Sequence, residues 1–217
     1  MKLAKLSLVK LDKMKLKVCG MKYLENIQQV AELKPDYLGF IFYEKSPRNF
    51  EGIIPQLPKS IKKTGVFVNE YLEILVSLVQ EYQLEAIQLH GEESVDYIKQ
   101  FKTHLPKVEV IKVFGIKDEF DFDVLKEYES VVDYFLFDTK GKSRGGNGIP
   151  FDWKILKNYN STKPFFLSGG IGLEQIEKIK NSDLPIYALD VNSRFEIEPG
   201  LKSVKKIKKF KNEISSR

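Results

Sequence analysis

A cysteine and a glycine stand directly after a short apolar run near the start of the sequence. Cys19 is the only cysteine among the 217 residues, and Gly20 follows it. A thiol at the end of a buried strand faces the pocket beyond, where a cation or a helix N-terminus lowers its pKa and makes it a proton acceptor. The alternative is a buried, inert cysteine that only packs. This residue alone leaves both interpretations open.

An aspartate ends another apolar run, which reads Tyr-Phe-Leu-Phe-Asp. The mixed environment at such a position can raise the pKa of Asp138 and keep a proton available for donation. The alternative is an aspartate that only caps the following loop. With Cys19 as acceptor and Asp138 as donor on different strands, the two groups would flank a substrate and suit an isomerisation.

A glycine-rich segment at residues 168–172, Ser-Gly-Gly-Ile-Gly, precedes a predicted helix. Gly169 and Gly170 would let backbone N–H groups approach a phosphate, and the helix N-terminus would add a favourable dipole. The alternative is a turn that needs glycine only for its geometry. Three residues after the next strand would complete the phosphate site: Asn192, Ser193 and Arg194.

Two further residues complete the candidate site. Arg48 follows the turn Ser46-Pro47; its fixed charge can bind a carboxylate through two hydrogen bonds, and the alternative is a surface ion pair. His90 is most simply a strand-end histidine that makes one hydrogen bond, and we include it among the substrate-binding residues. The other histidine, His104, does not stand at metal-ligand spacing from it, so we predict no metal site.

The glycine-rich segment 141–148 contains Arg144 and predicts a mobile lid or a substrate-contact loop. Its spacing departs from the Gly-x-x-x-x-Gly-Lys-Ser/Thr pattern of a phosphate-binding P-loop. We therefore do not assign nucleotide binding to it.

Eight short, mostly apolar runs alternate with segments of helical spacing, the pattern of parallel strands covered by helices. The predicted strands are residues 16–19, 37–42, 64–68, 86–89, 108–113, 134–137, 164–167 and 186–191. The predicted helices are residues 24–33, 71–82, 94–101, 152–159, 173–179 and 203–214. The second and fifth crossovers are the least clear, because Gly52, Pro55 and Pro58 break one and acidic residues crowd the other.

Eight such units in about 200 residues predict a single-domain (β/α)8 barrel over residues 14–217. The rival is a doubly wound open sheet, which usually has about five or six strands and would leave two units unplaced. In a barrel of this type, functional residues concentrate at the carboxyl ends of the strands, which is where the candidate residues fall.

The net charge of +5 belongs to the two ends of the chain. Residues 1–17 carry +5, residues 202–217 carry +6, and the stretch between them carries −6. The charge therefore describes the termini and is not a reason to expect a nucleic-acid partner, since no basic patch interleaved with aromatic residues accompanies it.

Composition and the N-terminal residues indicate where in the cell the protein is expected. No apolar run approaches the roughly 20 residues of a membrane span, the single cysteine cannot form an internal disulfide, and no signal peptide is evident. We expect a cytoplasmic protein with no membrane partner. Residues 1–13 form a basic extension; either the natural start is Met14, or the extension is a short arm with leucines on the surface.

Nine motifs occur in a fixed order along the chain, seven of them at strand ends. They are Lys-Val-Cys-Gly-Met at 17–21, Gly-Phe-Ile-Phe-Tyr-Glu-Lys-Ser-Pro-Arg at 39–48, Gly-Val-Phe-Val-Asn at 65–69, Ile-Gln-Leu-His-Gly-Glu at 87–92, Phe-Asp-Thr at 137–139, Gly-Gly-Asn-Gly at 145–148, Phe-Asp-Trp at 151–153, Leu-Ser-Gly-Gly at 167–170, and Asp190 with Glu196-x-x-Pro-Gly. As a set, from about Lys15 to the last helix, they resemble the phosphoribosylanthranilate isomerase family.

The resemblance implies the third step of tryptophan biosynthesis, an Amadori rearrangement of N-(5′-phosphoribosyl)anthranilate. It implies Cys19 as general base and Asp138 as general acid, with Arg48 on the anthranilate carboxylate. It also implies that the backbones of Gly169–Gly170 and of residues 192–194 hold the phosphate. The implied partner is a small phosphorylated substrate, and no metal or organic cofactor is implied, since proton transfers suffice.

Two departures from the family pattern concern single residues. Arg194 stands where the family commonly has glycine, so it either contacts the phosphate or points to solvent. Lys22 stands where a small polar residue is frequent, and it is a candidate to hold Cys19 as a thiolate.

The related isomerase of histidine biosynthesis is the rival enzyme, but it uses aspartate at the position of Cys19. We expect a monomer or a homodimer.

Overall fold

The computed structural model describes residues 14–117, 119–139 and 152–215. The predicted basic extension at 1–13 and the predicted lid at 141–148 lie outside the described residues. Within the described ranges, no helix combines the length and the apolar composition that a membrane span requires.

Eight parallel strands close into one barrel in sequence order, because β1 pairs with both β2 and β8. The barrel strands are β1 (Lys15–Val18), β2 (Tyr37–Phe42), β3 (Lys62–Phe67), β4 (Ala86–Leu89), β5 (Glu109–Ile116), β6 (Tyr134–Thr139), β7 (Phe165–Leu167) and β8 (Ile186–Val191). The predicted (β/α)8 barrel is confirmed, and the open doubly wound sheet is excluded.

The inside of the barrel changes from apolar to polar toward the carboxyl ends of the strands. Leu136 and Ala188 belong to a buried apolar cluster within the barrel. Side chains alternate along a strand, so Asp138 and Asp190 lie on the same inner face, two residues closer to the carboxyl ends. Both aspartates are buried. The strand period therefore places carboxylates directly above an apolar layer.

A second core lies between the strands and the helices that surround them. Val30, Phe101 and Phe210 pack into it from three helices and are fully buried. The α-helices are α1 (Leu24–Glu32), α2 (Leu72–Glu81), α3 (Val95–His104), α4 (Ile176–Lys180) and α5 (Val204–Ser215). Their apolar stripes cover the outer face of the barrel.

Among the described residues, the two crossovers that were least clear in the sequence contain no α-helix. Between β2 and β3 the chain runs without regular structure past its glycine and prolines, and between β5 and β6 the described residues, 117 and 119–133, form the 3₁₀ helix Phe122–Glu127. Missing amide hydrogens and fixed φ angles at proline account for the first of these.

Several predicted elements differ in type or length from those of the structure. The helix expected at 152–159 is the 3₁₀ helix Trp153–Asn158, whose buried Trp153 and Leu156 are three residues apart, as that geometry favours. The helix expected at 173–179 begins as the 3₁₀ helix Leu173–Gln175 before α4. Strand β5 continues to Ile116 instead of ending at residue 113, because its last residues pair with β6.

After β8 the chain forms the 3₁₀ helix Ser193–Phe195 and then a small antiparallel pair, β9 (Glu196–Glu198) and β10 (Leu201–Lys202). Asn26 of α1 holds this pair against the barrel, because its side-chain amide donates to the Lys202 carbonyl at 2.9 Å and accepts from the Lys202 amide at 2.7 Å. The pair brings two charged side chains, Glu196 and Lys202, to the rim of the barrel.

Candidate active site

One cleft at the carboxyl ends of the strands is lined by all nine residues that the sequence analysis selected as catalytic or substrate-binding. It is an open, partly polar cleft lined by residues from seven strand ends. The nine selected residues all line it: Cys19, Arg48, His90, Asp138, Gly169, Gly170, Asn192, Ser193 and Arg194. The fold therefore gathers residues from strand ends that are far apart in the sequence.

Cys19 follows β1 and is nearly inaccessible, with 4% of its surface exposed. Its sulfur lies close to the backbone of β2, since a methyl group added at Gly39 would come within 2.9 Å of Sγ. Burial raises the pKa of the Cys19 thiol, while Lys17 and Lys202 act in the opposite direction. The sequence led us to expect a net lowering by a cation; the cations are present, but burial outweighs them.

Below Cys19, three polar side chains form a buried group inside the barrel. The Lys17 ammonium donates to Gln88 Oε1 at 2.7 Å and to Asp190 Oδ1 at 2.9 Å. Lys17 has no exposed surface and Asp190 only 5%. Both the thiol of Cys19 and the carboxyl group of Asp138 interact electrostatically with Lys17 and Asp190. This Lys17–Gln88–Asp190 group therefore connects the two sides of the cleft.

Asp138 lies near the end of β6 with 7% of its surface exposed. Burial raises its pKa from 3.8 to about 6, although the hydrogen bond from the Thr139 amide to Oδ1, 2.8 Å long, opposes the shift. The other carboxylate oxygen lies 3.7 Å from His90 Nε2. A carboxyl group with this pKa holds its proton at a higher pH than an ordinary aspartate, as donation to a substrate requires.

The loop after β7 has the backbone shape that the sequence led us to expect of a phosphate site. Gly169 and Gly170 have φ angles of +87° and +66°, in the region that glycine adopts without strain. A methyl group at Gly169 would come within 2.3 Å of Thr139 Oγ1. Glycine is therefore needed here both for the turn and for its close approach to the end of β6.

The residues after β8 have different environments. The Asn192 amide oxygen accepts a hydrogen bond of 2.6 Å from the Lys202 ammonium. Ser193 begins the 3₁₀ helix that follows, and its surface lines the cleft. Arg194 pairs with Glu174 at 3.2 Å, and both side chains are about half exposed. Arg194 thus lies at the outer edge of the cleft.

Arg48 forms an ion pair with Glu196 inside the cleft wall. Its Nε and Nη2 atoms donate to the two carboxylate oxygens at 2.8 and 2.7 Å. The sequence left carboxylate binding and a surface ion pair open; an ion pair does form, but both side chains are largely buried. Because Glu196 occupies one edge of the planar guanidinium, the Nη1 edge remains for a second anion.

Lys202 lies on the other side of Glu196 and donates to Oε1 at 2.6 Å. Burial lowers the pKa of Lys202 to about 8. Burial would raise the pKa of Glu196, but Arg48 and Lys202 hold it below its ordinary value. Two cations thus share one carboxylate, and the cluster retains a positive charge beside Cys19 when all three groups are ionised.

Sequence reasoning gave no role to four charged residues of this region: Lys17, Asp190, Glu196 and Lys202. Lys17 carries a usable signal, since a lysine inside an apolar strand, two residues before Cys19, must lie on the same face. Lys202 carried none, because it belongs to a lysine-rich end that suggests a solvated surface. Lys22, the predicted partner of the thiol, instead donates to the Pro47 carbonyl at 3.4 Å in an exposed position.

The family model described as N-(5′-phosphoribosyl)anthranilate (PRA) isomerase matches residues 16–213. The chain belongs to the phosphoribosylanthranilate isomerase family. It is therefore an isomerase of tryptophan biosynthesis, as the strand-end motifs led us to expect. The N-(5′-phosphoribosyl)anthranilate isomerase of Parabacteroides distasonis is 44% identical over 206 residues, which cover 92% of each chain.

Solved structures of the phosphoribosylanthranilate isomerase family have the same fold. One, a complex with reduced 1-(o-carboxyphenylamino)-1-deoxyribulose 5-phosphate, is 29% identical with a TM-score of 0.78, covering 94% of this chain and all of the other. Another, of monomers of the dimeric enzyme from Thermotoga maritima, is 29% identical with a TM-score of 0.77 and the same coverage.

Proposed function

We propose that this isomerase rearranges N-(5′-phosphoribosyl)anthranilate to 1-(2-carboxyphenylamino)-1-deoxyribulose 5-phosphate, with Asp138 as general acid and Cys19 as general base. The observation that carries the assignment is the placement of Asp138 on β6 and of Cys19 directly after β1, where both line one cleft. The environment of Asp138 suits proton donation, and the cations near Cys19 favour its thiolate.

The first step opens the ribose ring. Protonated Asp138 donates its proton to the ring oxygen, the bond from that oxygen to C1′ breaks, and the nitrogen lone pair forms the C1′–N double bond of a Schiff base. A carboxyl group with a pKa of about 6 keeps a useful protonated fraction near neutral pH and remains acidic enough to donate.

The second step removes the C2′ proton. The Cys19 thiolate takes it, the electron pair of the C2′–H bond forms a C1′–C2′ double bond, and the electrons of the C–N double bond return to nitrogen. The resulting enolamine tautomerises to the ketone. No electrons enter or leave the substrate, so these steps need only groups that move protons.

Anionic groups at the two ends of the substrate would hold it between these residues. We assign its phosphate to the backbones of Gly169 and Gly170 and of residues 192–194, supported by the positive φ angles of the glycines. We assign its carboxylate to the Nη1 edge of Arg48, which Glu196 leaves open. His90 would contact the substrate beside Asp138, from which it is 3.7 Å away.

We further propose that the protein works in the cytoplasm, because a free thiol at position 19 needs a reducing compartment to persist. For assembly we propose a monomer or a homodimer; the dimeric relative from Thermotoga maritima motivates the second. Light scattering of the purified protein at several concentrations distinguishes the two.

The test of the proposed roles follows the loss of substrate fluorescence after addition of purified protein. We expect Asp138→Asn to lower kcat/KM by about 10²- to 10⁴-fold, the usual effect of removing a general acid. Asp133→Asn is the matched control, since Asp133 precedes the same strand and pairs with Lys102 far from the cleft. Equal rates for the two variants would contradict the role of Asp138.

A further inference from the structure

Lys17 is a fully buried lysine that forms an ion pair with Asp190 inside the barrel. It lies two residues before Cys19 on β1, so both side chains are on the inner face. Burying an ammonium group is costly unless partners compensate, and apolar residues of similar volume often replace such groups without loss of stability. A charge kept at this position therefore calls for a chemical role.

The hydrogen bonds of Lys17 leave part of the ammonium for Cys19. Of its three N–H donors, one goes to Gln88 and one to Asp190. The third is available to the thiol, with which Lys17 interacts electrostatically. Gly39, on the neighbouring strand, lets the sulfur approach without bringing any charge of its own.

We propose that Lys17 is a positioning residue that stabilises the thiolate form of Cys19. The inference rests on the proposed function, since it gives Lys17 a purpose only if Cys19 removes a proton. Within the described residues, the charged groups acting on Cys19 are Lys17 on β1, Asp190 on β8 and Lys202 on β10. The two lysines favour the thiolate, and Asp190 opposes it.

The same Lys17–Asp190 pair also acts on Asp138, where Asp190 favours the protonated carboxyl group and Lys17 the carboxylate. One buried pair thus influences both proton-transfer groups. Lys17 lowers the pKa of Cys19 and Asp190 raises it. Removing Asp190 alone and removing both residues should therefore shift the pKa of Cys19 in opposite directions. A purely structural role would give no such pattern.

The experiment measures the rate of alkylation of Cys19 by iodoacetamide as a function of pH. Since Cys19 is the only cysteine, the reaction reports a single thiol and needs no substrate. We expect Asp190→Asn to move the midpoint of the profile to lower pH. We expect the charge-balanced double variant Lys17→Met/Asp190→Asn to move it to higher pH, with alkylation about tenfold slower at neutral pH for a shift of one unit.

The plateau rate at high pH separates access from basicity, because all of the thiol is ionised there. The matched control is Lys112→Met/Glu93→Gln, which removes another buried ion pair, 2.9 Å long and not among the groups that act on Cys19. We expect its midpoint to equal that of the unmodified protein.

Equal midpoints in all variants, or a shift in the same direction for Asp190→Asn and the double variant, would overturn the proposal. If the double variant does not fold, Asp190→Asn alone decides, since an unchanged or higher midpoint contradicts the opposing action of the pair. If the double variant shows the expected shift of the alkylation midpoint and has also lost isomerase activity, the result supports Lys17 as a positioning residue for Cys19. Expected thiol shifts in a protein that never shows isomerase activity would instead contradict the proposed function.

Discussion

Arg48 and Glu196 are 148 residues apart in the sequence and are joined by two hydrogen bonds of 2.8 and 2.7 Å. Glu196 also accepts hydrogen bonds from the Lys202 ammonium and, at 3.0 Å, from the Gly200 amide, so its carboxylate is fixed from three directions. The pair therefore sets the orientation of the guanidinium. Arg48 enters the cleft already oriented, with one edge bound and the other open.

Replacing Arg48 should weaken substrate binding more than it slows the chemistry. For Arg48→Ala we expect KM to rise about 10- to 100-fold, because a hydrogen bond to a charged group contributes about 1.5–3 kcal/mol. Glu196→Gln should raise KM by less, since the positive charge remains but its orientation is relaxed. Steady-state kinetics of both variants measures the two effects.

A substrate analogue without the carboxylate provides the control for this prediction. Its affinity should be the same for Arg48→Ala and the unmodified protein, because the lost contact involves only the carboxylate. If Arg48→Ala loses affinity for this analogue as strongly as for the substrate, Arg48 does not bind the carboxylate.

The pKa of Asp138 predicts a cost in stability at neutral pH. A buried carboxyl group whose pKa rises from 3.8 to about 6 binds more protons in the folded than in the unfolded protein between these values. Its contribution to the free energy of unfolding therefore falls as the pH rises from about 4 to about 6, by roughly 3 kcal/mol. Above about pH 6, Asp138 no longer makes this contribution to the free energy of unfolding.

Asp138→Asn should remove this pH dependence. At neutral pH we expect the variant to be about 2–3 kcal/mol more stable than the unmodified protein, and near pH 4 about equal to it. Urea unfolding at the two pH values measures the difference. A variant that is equally or less stable at neutral pH would show that burial of Asp138 carries no such cost.

The glycine after Ser168 should tolerate no side chain. We expect Gly169→Ala to lower stability by about 1–2 kcal/mol, because of its φ of +87°. It should also raise KM, since the loop must move away from Thr139. Gly172→Ala is the control, because its added methyl group meets only the tip of Glu174 and its φ is −145°. Equal effects of both substitutions would argue against a phosphate site at Gly169.

Most of the barrel is predictable from the sequence because its signals are local. Short apolar runs with polar residues and glycines at their carboxyl ends are enough to assign Cys19 and Asp138 to separate strands. A barrel brings all such ends to one rim. The gathering of the nine candidate residues in one cleft follows from that topology.

The charged environment of the site is not predictable in the same way, because it depends on contacts between distant elements. Glu196 has no local feature that names Arg48 as its partner. Lys202 lies next to five exposed or half-exposed lysines of α5 but is itself buried through the β9–β10 pair. The balance between burial and these cations decides the pKa of Cys19, and only the folded geometry supplies it.

If two side chains of this cleft move the protons of the rearrangement, Cys19→Ser must lower kcat/KM in the fluorescence assay. The substitution keeps the size and shape of the side chain and replaces the thiol by a far weaker acid. We expect a fall of at least about 10²-fold with unchanged stability. A Cys19→Ser variant that works within a few-fold of the unmodified protein would contradict it.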